Sequence, residues 1–138
     1  MTNTTTDVTV GTEIGPFVRE TGFANWNRYA AVNDEFVPIH MDDEAGRAAG
    51  YDTAFGMGNL QWAYLHNLLR DWMGDEGRIT RLECQFRGPN IKGQTVTARG
   101  TVTSVTEQDG KRVVELELWT EEQNGKKLAP ATATVELP

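Results

Sequence analysis

The stretch Asn33-Asp34-Glu35-Phe36-Val37-Pro38-Ile39-His40-Met41-Asp42-Asp43 holds several carboxylates, a proline and a histidine. These types suit proton transfer. Moving water onto or off a carbon skeleton needs one group that exchanges a proton with water and a second proton movement at the neighbouring carbon, which is work for an acid–base pair. Histidine titrates nearest neutrality. A carboxylate raised in pKa by apolar surroundings can hold the reacting water. Pro38 disfavours helical geometry at Val37, so Phe36–Ile39 is expected to be extended or turned. That turn would bring carboxylate and imidazole to one side.

Other uses of the same residues must be weighed. Asp34, Glu35, Asp42, Asp43 and Glu44 with His40 could hold a hard cation such as Mn or Mg, or form a solvated acidic loop. No second histidine stands nearby in sequence to support a metal. His40 alone could be a packed or surface histidine; the Pro-Ile-His-x-Asp setting favours a task. His66 falls mid-helix among apolar neighbours and reads as a packed or interface residue. Gly56 and Gly58 lack the preceding strand and following Lys of a phosphate loop. Met57 and Met73 read as gap fillers, and Trp26, Trp62 and Trp72 as core or interface. The single cysteine, Cys84, excludes an internal disulfide and any cysteine-based zinc cluster.

The elements that must position these groups divide the chain in two. Up to about residue 75 it reads as helix and loop. Phe23, Trp26 and Ala30 are spaced for a helix that Thr21 could cap. Asp42 or Asp43 can cap a short helix through Glu44–Ala49, closed by Gly50. The best helix runs over about Asn59–Met73. Trp62, Leu65, Leu69, Trp72 and Met73, with Leu60, Tyr64 and Leu68 beside them, make the wide apolar face of a mostly buried helix. From Arg78 onward the chain alternates. Leu82, Cys84 and Phe86 are expected to face inward from Arg78–Arg87. Val96, Ala98, Gly100, Val102 and Ser104 share one face of Gln94–Val105. Asp109-Gly110 and Asn124-Gly125 are hairpin signals. The expectation is α+β: one long helix wrapped by an antiparallel meander.

At 138 residues the chain is most simply one domain. Met1–Val10 is Thr-rich, without a basic start or apolar run, and is expected to be a flexible end rather than a secretory signal. Residues 11–138 would form the domain. No apolar run nears the ~20 residues of a membrane span. A net charge of −7 speaks against nucleic-acid phosphates and anionic lipid as partners. Arg70, Arg78, Arg81 and Arg87 could still gather into a local anion site. A cytoplasmic setting is the default expectation.

The chain resembles the MaoC-like, R-specific enoyl thioester hydratases. Their motif is close to Gly-Asp-x-Asn-Pro-(Ile/Leu/Val)-His, followed by an acidic residue and a short helix with an Ala. Pro38-Ile39-His40, Asp42 and Ala45 match it. The likeness continues through Gly50-Tyr51-Asp52-Thr53-Ala54 to Gly56-Met57-Gly58, and more weakly to Phe86-Arg87-Gly88-Pro89. The resemblance implies a single hotdog domain with a curved antiparallel sheet around the central helix. It implies reversible hydration of a 2-enoyl thioester, carried on coenzyme A or an acyl carrier protein, without cofactor or metal. It also implies a homodimer, or a heteromer with another MaoC-like chain. Carried over by position, the catalytic groups are Glu35 and His40, with the Gly58 N–H facing the thioester oxygen. The departures are Glu35 for the family's Asp, Asp34 for its Gly, Val37 for its Asn and Met57 for a frequent His. Asp34 is the alternative acid if the loop shifts by one residue. Two other classes stay open: a non-catalytic subunit of a heteromeric dehydratase, motivated by Glu35 and Val37, and a hotdog acyl thioesterase. The latter usually takes its carboxylate from the start of the central helix, where Asn59 and Gln61 stand here.

Overall fold

The computed structural model describes residues 8–138. In chain order it holds β1 (Glu13–Glu20), α1 (Phe23–Asn33), a 3-10 turn (Pro38–His40), α2 (Asp43–Ala48), α3 (Gly58–Met73), β2 (Arg78–Cys84), β3 (Thr95–Gln108), β4 (Lys111–Glu121) and β5 (Lys127–Leu137). The five strands form one antiparallel sheet in the order β1-β3-β4-β5-β2. Its inner face packs on α3.

The inner face follows from alternation. Val96, Ala98 and Val102 of β3, Val114, Leu116 and Leu118 of β4, and Ala131, Ala133, Val135 and Leu137 of β5 are buried. Facing them, α3 buries Leu60, Gln61, Tyr64, Leu65, Leu68, Leu69, Trp72 and Met73. Each fully buried leucine contributes about 1.5–3 kcal/mol of hydrophobic stabilisation. A helix fixed by this many contacts has a fixed start, and α3 starts at the Gly58 region. At Asp109 and Gly110, φ is 52° and 78°, the doubly positive pair of a tight type I′ hairpin between β3 and β4.

Several expectations needed correction. The chain opens on a strand, β1, not on helix and loop. Gly15 and Pro16 mask its alternation, and its pairing with β3 is irregular between Ile14 and Phe17. The four later strands are not one meander. β3, β4 and β5 are consecutive neighbours, but β2 lies beyond β5 at the far edge. Thr21 does not cap α1: Gly22 is the N-cap, its N–H donates to Asn25 Oδ1, and the Thr21 hydroxyl donates to the Gln94 carbonyl. Trp62 and Phe86, expected inward, are 40% and 53% exposed. Backbone hydrogen bonds to the β5 side continue past β2, from the Gln85 N–H to Pro130 and the Arg87 N–H to Leu128, and the Phe86 ring lies over Gly58 at the start of α3 instead of in the core. The flexible stretch expected over Met1–Val10 falls mostly outside the described residues; within it, Val8 is buried and Val10 exposed.

Candidate active site

The site begins where α1 stops. Asp34 is its C-cap, with left-handed φ of 52°. The chain reverses there, and the Glu35 N–H donates back to the Ala30 carbonyl at 3.1 Å. Asp34 is exposed and Glu35 half-buried, so the turn sends the two neighbouring carboxylates into different surroundings. Val37 is extended (φ −97°, ψ 128°), and Pro38 starts the 3-10 turn that ends on His40.

His40 is locked from two directions. Its Nδ1 lies 2.7 Å from the Phe55 carbonyl oxygen, which can only accept, so Nδ1 carries the proton. In the neutral ring this leaves Nε2 with the free lone pair. The Phe55 N–H donates in turn to the Ile39 carbonyl at 3.1 Å, and the Phe55 ring stands edge-on to the imidazole. Segment 54–56 is held on its other side by the lead into β3. The Gly56 N–H donates to Asn90 O at 2.7 Å, and the Lys92 N–H donates to Ala54 O.

Helix α2 buttresses the same segment. The Asp42 side chain accepts from the Glu44 N–H and caps α2. Asp43 accepts from the Ala54 N–H and, at 2.6 Å, from Lys92 Nζ. The Lys92 hydrogen bond foremost, then the Ala54 N–H, holds the Asp43 carboxyl below its usual range. Glu44 pairs with Arg47. Three acids of the proposed metal alternative are thus engaged structurally, and no group of three His, Cys, Asp or Glu side chains suited to an ion occurs among the described residues.

Glu35 and His40 meet the same short stretch at its two ends. His40 is tied to Phe55, while Glu35 Oε1 accepts from Asn59 Nδ2 at 3.1 Å. Asn33 Nδ2 reaches that oxygen at 3.5 Å. Between them, Gly58 is the first residue of α3, where helix geometry leaves the N–H without an intrahelical acceptor and the helix dipole favours negative charge. The ring of Phe86 covers Gly58 so closely that a Cβ there would stand 2.8 Å from it. The Tyr29 phenol also feels the site: burial chiefly, then the Glu35 charge, raises its pKa.

A cleft of about 770 Å³ is lined in part by Asn59, Trp62, Cys84, Phe86, Trp119 and Lys127. Glu35 and His40 do not line it; Asn59 touches both the cleft and Glu35. Arg70, Arg81 and Arg87 do not gather. Arg70 belongs to the C-terminal end of α3 and Arg87 to the cleft near its start, while Arg81 pairs with Glu83. His66 Nδ1 donates to the Trp62 carbonyl at 3.0 Å and the ring stands edge-on against the Trp62 ring, in keeping with a packed histidine. Asn59 as a partner of Glu35, and Lys92 as the clamp on α2, were not anticipated from sequence; both contacts join positions remote along the chain.

A family model described as MaoC like domain matches residues 4–124. Among solved structures, an (R)-hydratase from A. caviae involved in PHA biosynthesis superposes with a TM-score of 0.86 at 23% identity, covering 96% of this chain and 98% of that one. The ChsH1-ChsH2 complex from Mycobacterium tuberculosis gives 0.84 at 18% identity, covering 94% and 98%. A MaoC-like dehydratase gives 0.84 at 26% identity, covering 99% of this chain and 43% of that one. No curated protein sequence matches.

Proposed function

The chain belongs to the MaoC-like domain family, and from that membership and the site's geometry we propose that it is a lyase that reversibly hydrates a 2-enoyl thioester to the 3-hydroxyacyl thioester, with Glu35 and His40 as the acid–base pair. The single observation that carries the proposal is the convergence of both side chains on residues 55–59, around the free first N–H groups of α3.

In the hydration direction Glu35 orients a water and His40 Nε2 takes one of its protons. The water oxygen bonds to C3 as the electron pair of the 2,3 double bond moves toward C2 and the thioester carbonyl. Negative charge grows on the carbonyl oxygen, where the Gly58 N–H donates. The pair returns the proton at C2, so one water is added and the enzyme is unchanged. Dehydration is the reverse. The chemistry calls for no metal or cofactor beyond the thioester's own carrier.

A second MaoC-like chain, identical or different, belongs to this reading. β2 is an edge strand with open backbone groups, and edges are usually covered. Exposed Trp62 and Phe86 flank the cleft beside it. The thioesterase reading is the weaker one: Gln61 is buried and occupied by Thr120 and Gly88, and Asp71 lies toward the far end of α3.

The test is kinetic. His40→Ala and Glu35→Gln should each lower kcat roughly 100-fold or more, the scale of a lost general acid or base. Asp34→Asn should do much less. Turnover lost in Asp34→Asn but kept in Glu35→Gln moves the acid by one residue. Indifference to all three supports the non-catalytic subunit instead.

A further inference from the structure

We infer that Asn59 is the residue that positions the Glu35 carboxylate for turnover; this rests on the reading of Glu35 given above. Two amides address Glu35, and both address Oε1. Asn59 Nδ2 does so at 3.1 Å, whereas Asn33 Nδ2 stands at 3.5 Å, the outer limit of a hydrogen bond. They differ also in what supports them. Asn33 is the exposed last residue of α1. Asn59 is the second residue of α3, directly followed by buried Leu60 and Gln61 and then by Tyr64 and Leu65. The Asn59 backbone is therefore fixed by the core, and its amide is the rigid donor.

A glutamate has three side-chain torsions, and an exposed or half-buried one samples several rotamers unless something selects among them. The Asn59 bond pins one carboxylate oxygen and leaves Oε2 for water. It also sets Glu35 against the helix start that carries the Gly58 N–H, so acid and oxyanion donor share one support. The place of Asn59 on the cleft wall offers a rival role, direct contact with substrate. The two roles differ in kinetic signature. A positioning residue alters kcat with little change in KM and has no effect once Glu35 is disabled; a substrate contact alters KM in either background.

The experiment measures kcat and KM for hydration of an enoyl thioester by the full chain and by Asn59→Ala, Asn59→Asp, Glu35→Gln and Glu35→Gln/Asn59→Ala. Asn59→Ala should lower kcat roughly tenfold or more, with KM within about twofold. Asn59→Asp, isosteric but carrying a like charge in place of the donor, should lower kcat at least as far. The double variant should be no slower than Glu35→Gln alone. The thermal midpoint of each variant checks that it is folded; Asn59 is exposed, so little change is expected there. An unchanged kcat in Asn59→Ala, effects that multiply in the double variant, or a raised KM at constant kcat would each overturn the positioning role while leaving the Glu35 assignment intact. Full turnover by Glu35→Gln, or no turnover by the parent chain, would instead overturn that assignment, and this inference with it.

Discussion

Gly46→Ala should uncouple the site from its buttress. Gly46 is buried within α2, and a Cβ there would stand 2.1 Å from the Thr53 carbonyl oxygen, 2.5 Å from its carbon and 2.7 Å from the Ala54 nitrogen. These are backbone atoms, so no side-chain rotation relieves the contact. Opening the shortest distance to the 3.0 Å below which such contacts are essentially never found requires about 0.9 Å of separation between α2 and residues 53–54. That segment carries the Ala54 N–H that binds Asp43 and leads directly into the Phe55 carbonyl that fixes His40. A displacement of about 1 Å at a catalytic group costs on the order of 100-fold in rate. The stability cost is smaller. Overpacking costs about 1–3 kcal/mol, and the better helix propensity of Ala over Gly returns about 1 kcal/mol. The variant should therefore remain folded while kcat falls roughly 100-fold. Enoyl thioester hydration kinetics beside a thermal melt would show it. Parental kcat together with the parental midpoint would refute the docking of α2 on the 53–55 segment.

Two further predictions concern the frame. Thr120→Val removes the hydroxyl that donates to buried Gln61 Oε1 at 2.6 Å, and should cost about 1–3 kcal/mol in urea unfolding; an unchanged midpoint would show that Gln61 needs no such partner. Asp43→Asn should weaken the clamp from α2 to Lys92 in a pH-dependent manner. The folded Asp43 pKa is depressed below the 3.8 of a free carboxyl, so its stabilisation is present above that value and is lost as the pH falls through the lower folded one. The parent's advantage in thermal midpoint should be present at neutral pH and shrink below about pH 4, and an advantage independent of pH would contradict the assignment.

The central helix was legible because its apolar face is wide and continuous, and only its first residue and Trp62 differed. The shared face of Val96, Ala98, Gly100 and Val102 in β3 was equally plain from alternation. β1 was not, since Gly15-Pro16 interrupts its pattern where the sheet itself is irregular. The place of β2 at the far edge was hidden as well, because alternation tells which face is buried but not which strand is the neighbour. In the site, the Pro38 turn and the capping by Asp42 followed from local rules. The partners that fix the candidate groups did not. Phe55, Asn59 and Lys92 reach His40, Glu35 and Asp43 across 15, 24 and 49 residues. Such pairings are set by how α2 and the lead into β3 pack around residues 54–56.

The central claim is that this chain moves water across a thioester's 2,3 bond, and a spectrophotometric hydration assay with the purified protein alone, over a panel of 2-enoyl thioesters, tests it most directly. The account predicts loss of the enoyl absorbance with at least one member of the panel, without added metal or cofactor and without release of free thiol. No turnover with any member, followed by activity only when another MaoC-like chain is added, would contradict the catalytic assignment; release of free thiol would contradict the reaction class.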